Sequence, residues 1–142
     1  MRFFITKLSF LFILVSLFVF AGCKGPEAEV SGFWKSTTAQ PEEIIEIGHD
    51  YFVSYSAPTT FGRANKEGET VKVTFEKVGE EIQGLHPSFS TPKIAIKDID
   101  GDEAHFKIST LKNKFVRISE DEAKNIISSW PDKIEYQPRA LP

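Results

Sequence analysis

The chain has little cysteine, only three histidines and fewer basic than acidic residues. One cysteine, Cys23, occurs in 142 residues. A lone thiol excludes an intrachain disulfide and any zinc site built from two or more thiolates, so the fold must hold by packing alone. The three histidines, His49, His86 and His105, stand neither in a His-x-x-x-His pair nor at metal-ligand spacing from one another. No Gly-x-Ser-x-Gly elbow and no phosphate loop occurs. Asp98, Asp100 and Asp102 invite a calcium reading. An EF-hand loop begun at Asp98 needs glycine sixth and glutamate twelfth, and Glu103 and Ser109 stand there. Carboxylate pairs such as Glu42-Glu43 and Glu80-Glu81 fall at strand edges and turns, where solvation accounts for them. The sequence therefore reads as a non-enzyme with no cofactor and no metal. The net charge of -3 disfavours nucleic acid and a polybasic membrane patch.

One long apolar run is present. It extends from Leu8 to Ala21, about 14 residues without a charge and short of the ~20 that span a bilayer as a helix. Arg2 and Lys7 precede it, and no acidic residue occurs before Glu27. Basic start, apolar middle and small-residue exit make a secretory signal segment. An uncleaved anchor and a plain signal peptide are the competing readings. The exit, Phe20-Ala21-Gly22-Cys23, resembles the bacterial lipobox, with Phe20 where leucine is usual. That resemblance implies cleavage before Cys23, lipid (palmitate) on its thiol, and a membrane anchor in the bacterial envelope. Lys24, in place of aspartate, implies the periplasmic face of the outer membrane if the host is Gram-negative. Two or more acyl chains are needed for a stable anchor. With the thiol committed to lipid, a cysteine nucleophile is excluded as well.

Cleavage would leave about 120 residues, one domain's worth, and without Arg2 and Lys7 the net charge falls to -5. Residues 23–30 read as the lipidated cysteine and a short polar tether. Residues 31–131 read as a β domain. Val71, Val73 and Phe75 alternate with Thr70, Lys72, Thr74 and Glu76, the pattern of a half-buried strand over 69–76. Tyr51, Val53 and Tyr55 alternate likewise, as do Ile94 and Ile96, then Ala104, Phe106 and Ile108. Shorter strands are expected at Phe33–Ser36, Ile44–Ile47, Glu81–Leu85 and Lys114–Ile118. Gly48-His49-Asp50, Val78-Gly79-Glu80 and Asp100-Gly101 mark turns. Regular spacing predicts a mainly β fold, an antiparallel meander making a small closed or partly open barrel of about eight strands. Trp34, Tyr51, Phe75, Phe106 and Phe115 are the large candidates for its interior.

A closing C-terminal helix follows, over about residues 119–130. Ser119 and Glu122 form a capping-box pattern, and Ala123, Ile126, Ile127 and Trp130 share a face. Pro131 ends it, and residues 132–142 read as an extended tail.

Gly32-Phe33-Trp34 opens the first strand, and Arg117 lies on the last, just before the helix. With a meander between them, this layout resembles the lipocalin and calycin pattern. The resemblance implies that Arg117 packs across the Trp34 ring and closes one end of the barrel. The other reading makes Trp34 a core aromatic of a different β fold.

Two loops remain. Residues 57–68 carry Phe61 and Arg63, and residues 86–92 carry Phe89. Phe61, Arg63 and Phe89 are candidate partner-binding residues, forming a rim; alternatively the two aromatics tuck back over the barrel mouth. The leading functional reading is an envelope lipoprotein that binds a protein partner, in an immunity, exclusion or inhibitor role. The alternative is a lipocalin-like carrier of a small apolar ligand, which requires a hollow barrel. The lipidation reading predicts that labelled palmitate enters the wild-type protein and not Cys23→Ser. An unlabelled wild type would overturn it.

Overall fold

A computed structural model describes residues 25–109 and 111–135. Cys23, the apolar run before it and the tail beyond residue 135 lie outside the described residues. Nine strands form one sheet: β1 (Gly32–Ser36), β2 (Glu43–Ile47), β3 (Tyr51–Ser56), β4 (Asn65–Lys72), β5 (Thr74–Val78), β6 (Glu81–Leu85), β7 (Ile94–Asp100), β8 (Glu103–Ile108) and β9 (Leu111–Ile118). A 3-10 turn, Pro26–Glu29, precedes them, and a helix, α1 (Glu120–Ser129), follows.

The sheet order is β4-β3-β2-β1-β9-β8-β7-β6-β5, with every adjacent pair antiparallel. The last strand returns to the first, placing Trp34 opposite Arg117 and Ser36 opposite Phe115. This makes a nearly closed barrel with one unsealed seam, between β4 and β5. Those two strands are consecutive in the chain, yet they stand at opposite ends of the sheet order. An even number of reversals separates them around the wall, so they run in the same sense. They are two halves of a single strand bent at Val73, one half paired with β3 and the other with β6. The continuous strand expected over 69–76 is thus interrupted. Val73 is buried, and its N–H donates to the Asp50 carbonyl (3.0 Å). Gly68, at φ +81°, lies in the first half, where a Cβ would collide with the Val53 side chain.

Inward side chains fill the barrel. Trp34, Phe106 and Phe115 are almost fully buried, with ring centroids 5.2 Å apart (Trp34–Phe106) and 4.6 Å apart (Phe106–Phe115). Phe52, Phe75, Ile45, Ile82, Ile94 and Ile96 join them. Tyr51 does not belong to this cluster, and Phe52 takes its place. Alternation sorts a strand into two faces without saying which face turns inward. Here the Tyr51 and Tyr55 hydroxyls both donate to the outer carboxylate of Glu46 (3.3 and 3.0 Å). Burial and that carboxylate push the Tyr55 phenol up to about 12.

The helix lies against the outer wall and does not close an end of the barrel. Phe33, Ile44, Tyr55 and Ile118 form an apolar strip on the outside of β1, β2, β3 and β9, and Ala123, Ile126, Ile127 and Trp130 cover it. Ser119 caps the helix, its hydroxyl accepting from Glu122 N–H (3.1 Å). Beyond the helix, the Asp132 carbonyl accepts from Ala64 N–H (2.9 Å) and its carboxylate pairs with Lys66 (3.2 Å).

The folded unit also begins earlier than the expected boundary at residue 31. Pro26–Glu29 is a turn docked on the barrel, Val30 is fully buried in the core and Glu27 is buried. The core rests on the aromatic stack. Phe106→Ala should cost about 3–5 kcal/mol, read as a lowered denaturation midpoint at unchanged slope.

Candidate functional site

The hairpin alternation gives the barrel two unlike ends. At the N-terminal end stand the 3-10 turn, the β2–β3, β5–β6 and β7–β8 turns and the start of α1. Glu27, Glu29, Asp50, Glu80, Asp98, Asp100, Asp102 and Glu120–Glu122 make this end strongly acidic. At the distal end, Asp132 stands against Ala64 and pairs with Lys66, and the segments 37–42, 57–64 and 86–93 carry Arg63, Lys93 and one carboxylate, Glu42. That carboxylate accepts from the Trp130 indole N–H (3.2 Å).

Arg117 organises the N-terminal end. Its guanidinium carbon lies 4.3 Å from the Trp34 ring centroid. Its two amino groups donate to the carbonyls of Ser31 (2.5 Å) and Glu29 (2.8 Å), and Nε faces Asp102 Oδ1 at 3.3 Å. The Trp34 indole N–H donates to the Val30 carbonyl (2.7 Å). Gly32, at φ +115°, turns the chain between these contacts, and Arg117 packs 3.5 Å from where its Cβ would be. Charge-assisted hydrogen bonds and a cation–π contact together bind the N-terminal turn to β1 and β9. The structure thus brings Trp34 and Arg117 together.

The candidate rim residues sit at the opposite end. In the β3–β4 loop, Thr59 and Gly62 exchange backbone hydrogen bonds (2.9 and 3.4 Å), closing a tight turn that holds Phe61 100% exposed. Pro58 is buried, and Ala57 N–H donates to the Glu42 carbonyl (2.9 Å), so the loop is pinned at its base. Arg63 is exposed beside the turn. In the β6–β7 loop, Phe89 is 53% exposed, with the Lys93 ammonium 3.5 Å from its ring centroid and the His86 ring at its edge. Phe61 does not tuck back over the barrel. Strand alternation brings the two loops to one end of the barrel, on either side of the unsealed seam.

The histidines take local roles. His86 Nδ1 accepts from Ser88 N–H (3.1 Å). His49 Nδ1 lies 2.7 Å from Glu27 Oε1, a contact across 22 residues that no local pattern announces. His105 Nδ1 lies 3.4 Å from Asp98 Oδ2. Among the described residues, no group of three or more His, Cys, Asp or Glu could hold a metal ion. No described helix is long and apolar enough to cross a membrane.

No family model, curated protein or solved structure matches the chain. The molecule is, as a class, a mainly β, nearly closed barrel with one C-terminal helix.

Arg117→Gln removes the guanidinium fork and leaves carbonyls at the barrel end without their charged donor. It should destabilise the domain by about 2–3 kcal/mol. Amide exchange should accelerate first at Val30 and Ser31. Uniform acceleration across the sheet would argue against a local latch.

Proposed function

We propose that the protein is a lipid-anchored lipoprotein of the bacterial envelope that acts by binding a protein partner at the distal rim. An immunity, exclusion or inhibitor role is the concrete form of that activity. The proposal includes no enzymatic step, no cofactor and no nucleic acid. The observation that carries it is the full exposure of Phe61 on a pinned turn, at the same end as the Phe89 loop and opposite the Pro26–Glu29 turn. An aromatic held in water by its own backbone contributes nothing to the core, and exposed aromatics are what protein interfaces bury.

The geometry supports an upright domain. Only Lys24 and Gly25 separate Cys23 from the docked turn at Pro26, a reach of about 10 Å. With lipid on Cys23, the acidic end would face the membrane, and anionic headgroups would repel it. The distal rim would then point away from the bilayer. Arg63 and Lys93 flank the aromatics, so the complementary surface is apolar with carboxylates at its edge. The carrier alternative asks for a hollow interior, and the packed stack of Trp34, Phe106 and Phe115 weighs against it.

A photo-crosslinking residue at position 61, in cells making the full chain, should give one discrete adduct. The adduct should be lost when Phe89→Ser is added, and a probe at Glu67 should give none. Phe61→Ser should leave stability within about 0.5 kcal/mol of wild type. Absence of an adduct, or equal adducts from both probes, would sink the rim proposal.

A further inference from the structure

The outer wall of β7, β8 and β9 carries the opposite charge from the end of the barrel. Cross-strand register sets Lys107 between Ala95 and Lys112, and one row below sets His105 between Lys97 and Lys114. Lys114 pairs with Glu103 (3.0 Å). Among the described residues, Lys97, Lys107 and Lys112 have no carboxylate within ion-pair distance. Like charges directly opposed on a sheet are destabilising, and the Lys97 ammonium, with Lys107 adding to it, holds the Lys112 amine below the usual lysine range. His105 Nδ1 is buried without a hydrogen bond, although Asp98 stands 3.4 Å away.

These groups line a cleft of about 140 Å³ on the wall. It shares Ala95 and Lys107 with a larger cleft of about 490 Å³, which runs past Gln83, Thr91 and Ser109 toward the distal loops. Glu81 touches both clefts, and its carboxylate is engaged by the Gln83 amide (3.0 Å). Among the described residues, three lysines without ion-pair partners stand against two carboxylates, Glu81, engaged by Gln83, and Asp98, turned to His105, which leaves a local surplus of positive charge. α1 covers the far side of the barrel, and among the described residues no helix or loop lies over this wall.

We propose that Lys97, Lys107 and Lys112 form a binding site for a phosphate-type oxyanion, carried either on a soluble polar molecule or on a lipid headgroup. A phosphate placed among the three ammonium groups turns their mutual repulsion into attraction. The hydroxyls of Thr91 and Ser109 and the Gln83 amide give the larger cleft the hydrogen-bonding character to hold the polar group that bears the phosphate. The site is independent of the distal rim and of lipid on Cys23.

The test uses the full chain in non-ionic detergent, at constant ionic strength set with chloride. Inorganic phosphate should raise the thermal midpoint of the wild type and shift the Lys107 and Lys112 side-chain resonances. Lys107→Gln/Lys112→Gln should bind phosphate about tenfold more weakly. Without phosphate it should unfold no lower than wild type, since a repulsive pair has been removed. Glycerol 3-phosphate and glycerophosphoglycerol distinguish the source: stronger binding of the monoester assigns a soluble ligand, and stronger binding of the diester assigns a headgroup. Equal effects of phosphate and chloride, or an unchanged response in the double variant, would overturn the site.

Discussion

The Arg117 guanidinium is the contact on which the rest of the barrel depends. A meander of strands closes only if its last strand finds its first, and the β1–β9 ladder does so over few residues. Arg117 reinforces that ladder from inside. It covers Trp34 and hydrogen-bonds the two carbonyls that end the N-terminal turn. The turn in turn packs along β5, where Glu29 reaches Lys77 (4.0 Å). One side chain therefore ties together the first strand, the last strand and the segment lying beside the lower half of the bent strand. A protein with a single cysteine and no disulfide needs such a tie, because closure must come from side chains and not from covalent staples.

How much of this was legible in the sequence depends on whether the cause was local. Alternation at Val71, Val73 and Phe75 marks a strand because the period is two. Ser119 with Glu122 marks a helix start because the cap is a contact over three residues. Trp34 and Arg117 could be paired only through the resemblance to the lipocalin pattern, since 83 positions separate them in the chain. The partner switch at Val73 was not legible, because it is decided by which ladder each half joins. Nor was the inward choice of Phe52 over Tyr51, which depends on Glu46 from a neighbouring strand receiving both phenols. Residues 26–30 look like a tether in composition, yet Val30 is a core residue and Glu27 finds His49.

Of the candidate site, the two loops and their aromatics were readable as punctuation between strands. What could not be read was their placement at one end, or that Thr59 and Gly62 hold Phe61 outward. The cationic wall was not legible at all. Lys97, Lys107 and Lys112 are scattered in the chain and meet only through strand register. The overall acidity argued against a basic patch because net charge averages over surfaces that lie far apart.

That averaging fails for a physical reason. A strand of six residues spans roughly 20 Å, whereas charges are screened beyond ~8 Å at physiological ionic strength. Carboxylates at the N-terminal end therefore do little to the field at the distal rim, while Asp98 reaches the near side of the lysine wall, 3.4 Å from His105. The barrel behaves as separate electrostatic surfaces on one rigid frame: an acidic end, an aromatic end with Arg63 and Lys93, and a cationic wall. The filled aromatic core and the helix-braced side hold these surfaces at fixed separations. A flexible chain of the same composition would neutralise itself. This one pairs some of its opposite charges, as at Arg117–Asp102 and Lys114–Glu103, and holds the rest on separate surfaces, which leaves each available to a different contact.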